Sequence, residues 1–253
     1  MLFRSETGQT TIAGMEELHL EIKVDIMKRE YDVEVVTGKP QVAYKESISQ
    51  EIRHQEVLKK QSGGAGQFAD IVWIMAPNEQ GKGYEFKNSI KGGAIPKEFI
   101  PAIDKGVQAS LNTGVLGGYP VIDFTIEVVD GSYHDVDSNT DTFRICAMKA
   151  FRESMKLAKP ILLEPIMKVV VNTPTDFAGD VTGALSSKRG QISKMEAKGK
   201  IQEIVAEVPI GNLFGWENGL RSMSQGKANS TMEFSHYAKV PESLVEEILG
   251  KTA

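Results

Sequence analysis

The stretch GSYHDVDSNTD (residues 131–141) separates two segments whose hydrophobic patterns differ. Residues 121–129 before it are rich in β-branched side chains, which predicts a strand, and the apolar run from Phe143 onwards has helical spacing. The stretch is therefore a tight strand-to-helix connection, and it carries one histidine and three aspartates. Two interpretations compete: a metal-binding or catalytic loop, and a shaped tip that contacts another molecule.

Residue spacing disfavours the metal interpretation, and missing partner groups disfavour the catalytic one. The run DVDSN (135–139) begins like a calcium loop, but position six is Thr140 instead of glycine and position twelve is Cys146 instead of glutamate. His134 has the chemistry of a general base, yet the neighbouring sequence supplies neither a nucleophile nor an oxyanion hole. His134 is then either a residue that holds the turn by hydrogen bonds or a contact residue on a protruding loop.

The spacing of Ser138 and Asp141 favours the contact interpretation. It is the S-x-x-D spacing of a capping box, with Ser138 as the N-cap of the following helix. The loop would then lie just before a helix N-terminus, where free N–H groups and the helix dipole attract anionic oxygens. A phosphate or a ribose is the ligand that such a surface suits.

A second loop, KKQSGGAGQ (59–67), joins two predicted strands and is expected to form the tip of a hairpin. Part of it, GAGQFA (64–69), satisfies the bare dinucleotide-binding pattern, but a strand follows where a helix should carry the pyrophosphate. Its glycines lie just after Lys59 and Lys60. Such small residues let a backbone approach an RNA groove by shape, without reading the base sequence.

Composition limits the classes of protein that remain. A chain of 253 residues favours two or three domains, and a net charge of −5 disfavours a general polyanion binder. The single cysteine, Cys146, excludes an internal disulfide framework and fits a reducing compartment. Neither a membrane-spanning apolar run nor a signal-peptide core is found, so a cytoplasmic protein is expected. No zinc-spaced pair, nucleophile elbow or complete phosphate loop is found either, so no enzyme active site and no metal site are expected in this chain.

The first two blocks of the chain differ in size. Residues 1–38 are predicted to form two short strands, an amphipathic helix and a further strand at 33–36, which is too little to bury a core alone. Residues 39–163 contain both loops, with helices predicted at 96–111 and 141–157. The second block is therefore expected to be a complete α/β domain.

Residues 164–253 alternate as strand, helix, strand, strand, helix and strand, which is the ferredoxin-like order. Pro174 is predicted to open the first of these helices. Common RNA-recognition domains of this fold carry aromatic residues on a central strand, and the predicted strand at 201–208 has none. Any RNA contact of this block would therefore involve Lys188, Arg189 and the neighbouring loops.

Eight segments, collinear over essentially the whole chain, closely resemble bacterial-type translation elongation factor G. They are AGMEELHLEI (13–22), GKPQVAYKESI (38–48), KQSGGAGQF (60–68), IPKEFIPA (95–102), GGYPVID (117–123), DGSYHDVDS (130–138), LLEPIMKV (162–169) and FGWENGLRSMSQGKANSTMEF (214–234).

The resemblance implies a carboxy-terminal fragment with an α+β, multidomain fold. Residues 1–38 are similar to the last part of the third domain, a partial ferredoxin-like piece. Residues 39–163 resemble the fourth domain, a ribosomal-protein-like α/β fold with a left-handed βαβ crossover, and residues 164–253 resemble the ferredoxin-like fifth domain. The guanine-nucleotide domain lies outside this chain. No cofactor is therefore implied here, because GTP and magnesium would bind the domain that is missing.

The resemblance also implies a function on the ribosome: the fourth domain enters the decoding site and contacts transfer RNA and messenger RNA as they move. The implied decoding-site contacts are Ser62, Gly63, Gly64, Ala65, Gly66, Gln67, Tyr133, His134, Asp135, Val136, Asp137, Ser138 and Asn139. The implied contacts with ribosomal RNA are Lys59, Lys60, Lys188 and Arg189. The implied partners are the ribosome, the tRNA–mRNA complex and a GTPase domain in cis, for a monomer with no membrane contact.

Three alternatives remain at this point. Within the superfamily, the parent could be a ribosome-recycling or otherwise specialised paralogue, or an antibiotic-protection protein. The intact YHDVD sequence (133–137) argues against the protection proteins, whose tips differ. In a different class, the chain could be a stand-alone RNA-binding or metal-binding protein.

Overall fold

The computed structural model describes residues 2–4, 10–12, 17–38, 41–61 and 66–250. It divides into two compact units, one formed by Met1–Ala43 with Pro165–Ser235 and the other by Tyr44–Glu164 with His236–Ala253. The domain limits that the sequence suggests, after residues 38 and 163, stay a prediction.

The N-terminal segment begins with two short strands and a helix, as the sequence predicts. Strand β1 (Leu2–Arg4) pairs antiparallel with β2 (Thr10–Ile12), and helix α1 (Glu17–Tyr31) follows. The strand predicted at 33–36 is wrong, because residues 32–38 form no regular structure. Among the described residues no neighbouring strand pairs with this β-branched run, and without such pairing an extended segment gains no ladder hydrogen bonds.

The second block forms a sheet with two helices. Its strands are β3 (Lys45–Ile48), β4 (Ile52–Lys60), β5 (Gln67–Pro77), β6 (Tyr84–Asn88) and β7 (Phe124–Ser132), and its helices are α2 (Ile100–Ser110) and α3 (Thr140–Leu157). Four strands form one sheet in the order β4-β5-β7-β6, in which only the β6–β7 pair is parallel. Helix α2 connects these two parallel strands, which makes a βαβ unit. The left-handed sense of that crossover stays an expectation.

Alternate residues of the sheet build the core of this unit. Trp73 on β5 and Phe124 on β7 are fully buried, together with Phe143 and Phe151 on α3. The indole Nε1 of Trp73 donates to Oγ of the buried Ser154 at 2.9 Å, so the core leaves no donor of this side chain unpaired. Burial of these large rings helps to hold α3 on the sheet.

A buried carboxylate organises the loop that leads into β7. Glu46 on β3 is 0% exposed, and its Oε atoms accept hydrogen bonds from four backbone N–H groups at 2.7–3.1 Å. The donors are those of Val115, Leu116, Gly117 and Tyr119. A Cβ at Gly114 would come within 2.2 Å of the same carboxylate. The loop therefore closes around Glu46 only because glycine stands at this position.

The third block has the strand and helix order that the sequence predicts. Its elements are β8 (Pro160–Pro174), α4 (Ala178–Ser187), β9 (Gln191–Lys198), β10 (Ile201–Pro209), α5 (Trp216–Met223), β11 (Asn229–Lys239) and α6 (Glu242–Gly250). The sheet order β11-β8-β10-β9 is 4-1-3-2 when these strands are numbered along the chain. This order confirms the ferredoxin-like arrangement.

One prediction for this block is wrong in detail. Pro174 does not open a helix; it ends β8, where it lies opposite Ile201 of β10. A single 3-10 turn, Thr175–Phe177, follows before α4 begins at Ala178. The strand continues to Pro174 because Thr173 is buried in the ladder and pairs with Gln202, and a proline is tolerated where a strand ends.

No helix in the described part of the chain is both long and apolar enough to cross a membrane.

Replacing Glu46 with glutamine tests the buried carboxylate. The amide keeps one acceptor oxygen but turns N–H groups toward two of the four backbone donors, and this should lower the free energy of unfolding by about 3 kcal/mol. Urea unfolding followed by tryptophan fluorescence measures the change, since Trp73 is buried in the same unit. Glu51→Gln, at an exposed position nearby, is the control; equal midpoints for the two variants would contradict the prediction.

Cys146 should be chemically inert in the folded chain. Burial raises the pKa of its thiol to about 12, so at pH 8 the reactive thiolate is almost absent. A disulfide reagent at pH 8 should therefore modify Cys146 only after urea unfolds the protein. Lys82→Cys, at an exposed turn position, should react at once and serves as the control. Rapid stoichiometric labelling of the native parent chain would show that Cys146 is accessible in the folded state, and would contradict the prediction.

Candidate nucleic-acid interface

The two loops that the sequence singles out lie at the same end of the four-stranded sheet. Strand β5 is antiparallel to both β4 and β7, so the β4–β5 connection and the β7–α3 connection meet where β5 begins. Gln61 and Gly66 of the first loop are described. The predicted contacts Ser62, Gly63, Gly64 and Ala65 lie outside the described residues.

Hydrogen bonds to the backbone of Phe68 join the two loops. The Phe68 N–H donates to the Asp137 carbonyl at 2.9 Å, and Ser138 Oγ donates to the Phe68 carbonyl at 2.7 Å. A third bond runs from the Gly66 N–H to Asp137 Oδ1 at 3.1 Å. A Cβ at Gly66 would lie 2.7 Å from the Asp137 side chain, so glycine is needed for this approach. We call residues 66–68 with 133–138 the loop latch.

Within the loop latch, His134 both holds the turn and presents an exposed edge. Its N–H donates to Ser138 Oγ at 2.9 Å, and its carbonyl accepts from the Ser138 N–H at 3.0 Å. Its Nδ1 accepts from the N–H groups of Val136 and Asp137 at 3.4 and 3.3 Å. The imidazole side chain is 58% exposed. The two interpretations of His134 are thus compatible with each other.

The predicted helix cap is wrong by one residue. Asn139, not Ser138, is the N-cap of α3: its backbone is extended, and its Oδ1 accepts from the Thr142 N–H at 2.9 Å. The Ser138 hydroxyl is already engaged with His134 and Phe68. Adjacent serine and asparagine are both good N-caps, so spacing alone could not choose between them. The helix still begins directly after the loop, at Thr140.

The outer surface of the tip combines exposed side chains with a shallow pocket. Tyr133 is 43% exposed and Val136 is 78% exposed, and Asp135 is exposed as well. The pocket, of about 180 Å³, is lined by Lys59, Lys60, Gln61, Gln67, Phe68, His134 and Asp137. Six of these seven are polar or charged, so hydrogen-bonding groups surround the pocket.

Lys59 and Lys60 supply positive charge at this pocket. Both side chains are exposed, and neither forms an ion pair with a carboxylate in the described part of the chain. Lys149, on the flank of the same unit, differs: its Nζ contacts Glu56 at 3.0 Å, and this hydrogen bond raises the pKa of the lysine. The charge of the tip lysines is therefore available to a partner.

Lys188 and Arg189, the other predicted RNA contacts, belong to the other unit. Lys188 caps the C-terminus of α4, and its Nζ donates to the Asn212 carbonyl at 2.9 Å. Arg189 follows with a positive φ of 62°. Both residues are half-buried, so part of their hydrogen-bonding capacity is used inside the unit. Their role as contacts with ribosomal RNA stays a prediction.

The basic stretch that follows Arg189 is neutralised by acidic neighbours. Lys194 contacts Glu196 at 2.7 Å, and Lys198 contacts Glu203 at 2.7 Å, on adjacent strands. The hydrogen bond between Lys194 and Glu196 raises the pKa of the lysine and lowers that of the carboxyl. This part of the sheet is a solvated face of paired charges, as charge runs usually are.

Phe68 and Gln61 are the tip residues that the sequence does not indicate as contacts. Phe68 contributes its backbone N–H and carbonyl, and no side-chain pattern marks such a role. Gln61 lines the pocket as the residue that follows Lys60. Among the described residues, no group of three or more His, Cys, Asp or Glu side chains could hold a metal ion.

The fold and the loop latch define a class of multidomain α+β protein in which an α/β domain precedes a ferredoxin-like domain. Comparison with known families identifies the class. Consecutive segments match three family models: Elongation Factor G, domain III (2–39), Elongation factor G, domain IV (40–159), and Elongation factor G C-terminus (161–248). The chain belongs to the elongation factor G family. These matches account for nearly all of residues 2–248.

A solved structure supports the assignment. The chain is similar to a crystal structure of a protein from Thermus thermophilus, with 38% sequence identity and a TM-score of 0.89. The match covers 100% of this chain and 38% of the other. The chain therefore spans well under half the length of that relative.

Ser138→Ala tests the loop latch. The variant removes the acceptor for the His134 N–H and the donor to the Phe68 carbonyl, which should cost about 1.4 kcal/mol locally. Amide exchange of His134 should then become roughly tenfold faster. Thr140→Ala, an exposed hydroxyl with no hydrogen-bond partner among the described residues, is the control. Unchanged protection of His134 in Ser138→Ala would mean that the latch does not hold the loop.

Proposed function

We propose that this chain is the ribosome-binding portion of a translational GTPase that promotes movement of the tRNA–mRNA complex during protein synthesis. In this proposal the tip of the domain at residues 40–159 enters the decoding site. The observation that supports it is the loop latch, in which hydrogen bonds join the start of β5 to the loop that precedes α3. Membership of the elongation factor G family is the reason for proposing the ribosome as the partner of the tip.

The hydrogen bonds of the loop latch suit a surface that must contact RNA while the tRNA–mRNA complex moves. A mobile loop would lose conformational entropy when it met RNA, whereas a loop already fixed by hydrogen bonds loses little. The tip presents Tyr133, the outer edge of His134 and the ammonium groups of Lys59 and Lys60, which pair with no carboxylate among the described residues. These groups suit phosphates and sugars, which occur at every position of an RNA strand. Contact of this kind tolerates any codon, as a translocation factor must.

The proposal divides the work between two parts of a longer protein. The nucleotide and its magnesium ion would bind a domain outside this chain, and the chain would act as the lever that hydrolysis drives. Lys188 and Arg189 would contact RNA of the large subunit, while the tip contacts the decoding site. The protein would act as a monomer in the cytoplasm, with ribosomal RNA and the tRNA–mRNA complex as its partners.

His134→Ala in the complete factor tests the proposed tip. Loss of the exposed imidazole and of its Nδ1 hydrogen bonds should slow translocation about tenfold, as expected for about 1.4 kcal/mol of lost contact. Stopped-flow fluorescence of labelled messenger RNA measures the rate. GTP hydrolysis stimulated by the ribosome should stay unchanged, because the substitution is far in sequence from any nucleotide site.

The control is Lys82→Ala, at the turn between β5 and β6, which lies at the end of the sheet opposite the tip. It should leave both rates unchanged. Loss of hydrolysis with normal movement in His134→Ala would contradict the assignment of the tip.

A further inference from the structure

We propose that residues 91–97, KGGAIPK, form a third loop of the tip and bind an RNA phosphate backbone. This inference rests on the proposed function and extends it to a segment between β6 and α2. The sequence marks the segment only by its glycines and its lysines. The structure supplies the reason to place it at the contact end.

The first observation is the packing of Ile95 against the end of β7. Ile95 is 2% exposed, and a Cβ at Gly131 would lie 2.6 Å from Ile95 Cδ1 and 2.3 Å from the Asp70 carbonyl. Gly131 stands two residues before Tyr133, where the β7–α3 loop begins. Glycine at this position therefore lets the 91–97 loop lie directly against the base of the loop latch.

The second observation is that both ends of the loop are fixed. The Ser89 N–H donates to the Val128 carbonyl of β7 at 2.8 Å. At the other end, the Phe99 ring stacks on Phe143 in the first turn of α3, with ring centroids 4.9 Å apart. The loop is thus anchored to the strand that precedes the β7–α3 connection and to the helix that follows it. Its place at the tip does not depend on its own exposed residues.

The third observation is the state of its charges. Lys91 and Lys97 are exposed, and neither has an ion pair or side-chain hydrogen bond with any residue that the structure describes. On the flank of α3, by contrast, Lys156 contacts Glu153 at 2.7 Å. Glu98 is the single carboxylate near the loop in sequence. An approaching phosphate would find two ammonium groups that need not first leave another partner.

The backbone between the lysines is open to close approach. Gly92 and Gly93 have φ values of 69° and 75°, and an added Cβ would meet nothing within 4 Å at either position. Left-handed φ values explain the glycines, and both residues are exposed, so a phosphate strand could approach this backbone without meeting a side chain. The apolar side chains of the loop are buried or half-buried. The exposed surface is therefore charge and backbone, which suits a phosphate strand rather than an apolar protein partner.

Site-directed cleavage tests the placement. A hydroxyl-radical-generating iron chelate is attached to a new thiol in Val136→Cys, Lys91→Cys or Lys82→Cys, because native Cys146 is buried. Each labelled chain is bound to bacterial ribosomes that carry messenger RNA and tRNA. We expect RNA cleavage from the probes at 136 and 91, at separate positions, and none from the probe at 82. The strand that is cut shows whether the phosphates belong to ribosomal RNA or to tRNA.

The outcomes separate the two proposals. Cleavage from position 136 alone would overturn the third loop and leave the proposed function standing. Cleavage from position 91 alone would support the loop and overturn the proposed tip. Absence of cleavage from both would overturn the proposed function and the inference together.

A binding measurement tests the chemistry independently of placement. Lys91→Ala and Lys97→Ala should each lower the slope of log affinity against log salt for ribosome binding by about 0.7–0.9, the value for one phosphate contact. Lys82→Ala, a matched exposed lysine at the opposite end of the sheet, should leave the slope unchanged. Slopes equal to that of the parent chain in both loop variants would overturn the phosphate assignment.

Discussion

The backbone hydrogen bonds of Phe68 are the constraint on which the tip depends. Phe68 donates to Asp137 and accepts from Ser138, so the start of β5 is tied to the loop that precedes α3. Each loop alone would be a flexible connection on the surface, and ordering it on contact with a partner would cost free energy. Joined by these bonds, residues 66–68 and 133–138 form one hydrogen-bonded unit at the end of the sheet.

The same interaction recurs in this unit: a carboxylate accepts hydrogen bonds from the backbone N–H groups of a loop that contains glycine. Glu46 accepts from four of them, Asp123 accepts from Gly81 and Gly83 at 3.0 and 2.8 Å, and Asp137 accepts from Gly66. A carboxylate suits this role because it only accepts and has room for several donors. Loops shaped in this way need no regular structure and few apolar contacts. The acidic residues in the signature segments thus serve the fold as much as any partner.

The sequence was sufficient for elements with strong periodicity and insufficient where neighbouring residues compete. Helix α3 and the ferredoxin-like strand order follow from spacing alone. The sequence predicts Ser138 as the N-cap of α3, whereas the N-cap is Asn139. Both residue types cap helices well, and the Ser138 hydroxyl is engaged by a non-local hydrogen bond to Phe68. The run at 33–36 had strand composition but gained no partner strand among the described residues. At the site, the two loops were recognisable, whereas the latch depends on backbone atoms that no residue pattern records.

A chain with a net charge of −5 can still present a surface for polyanions, because pairing decides which charges act. Lys149 in the unit that carries the tip and Lys194 in the other unit each contact a carboxylate within 3.0 Å, and these contacts largely neutralise their charge. Exposed ion pairs of this kind add little stability, so their main effect is to lower the local net charge of the surface. Lysines at the tip end lack such partners among the described residues. Unpaired positive charge in the described residues is therefore found at the tip end of this unit, despite the negative net charge of the chain.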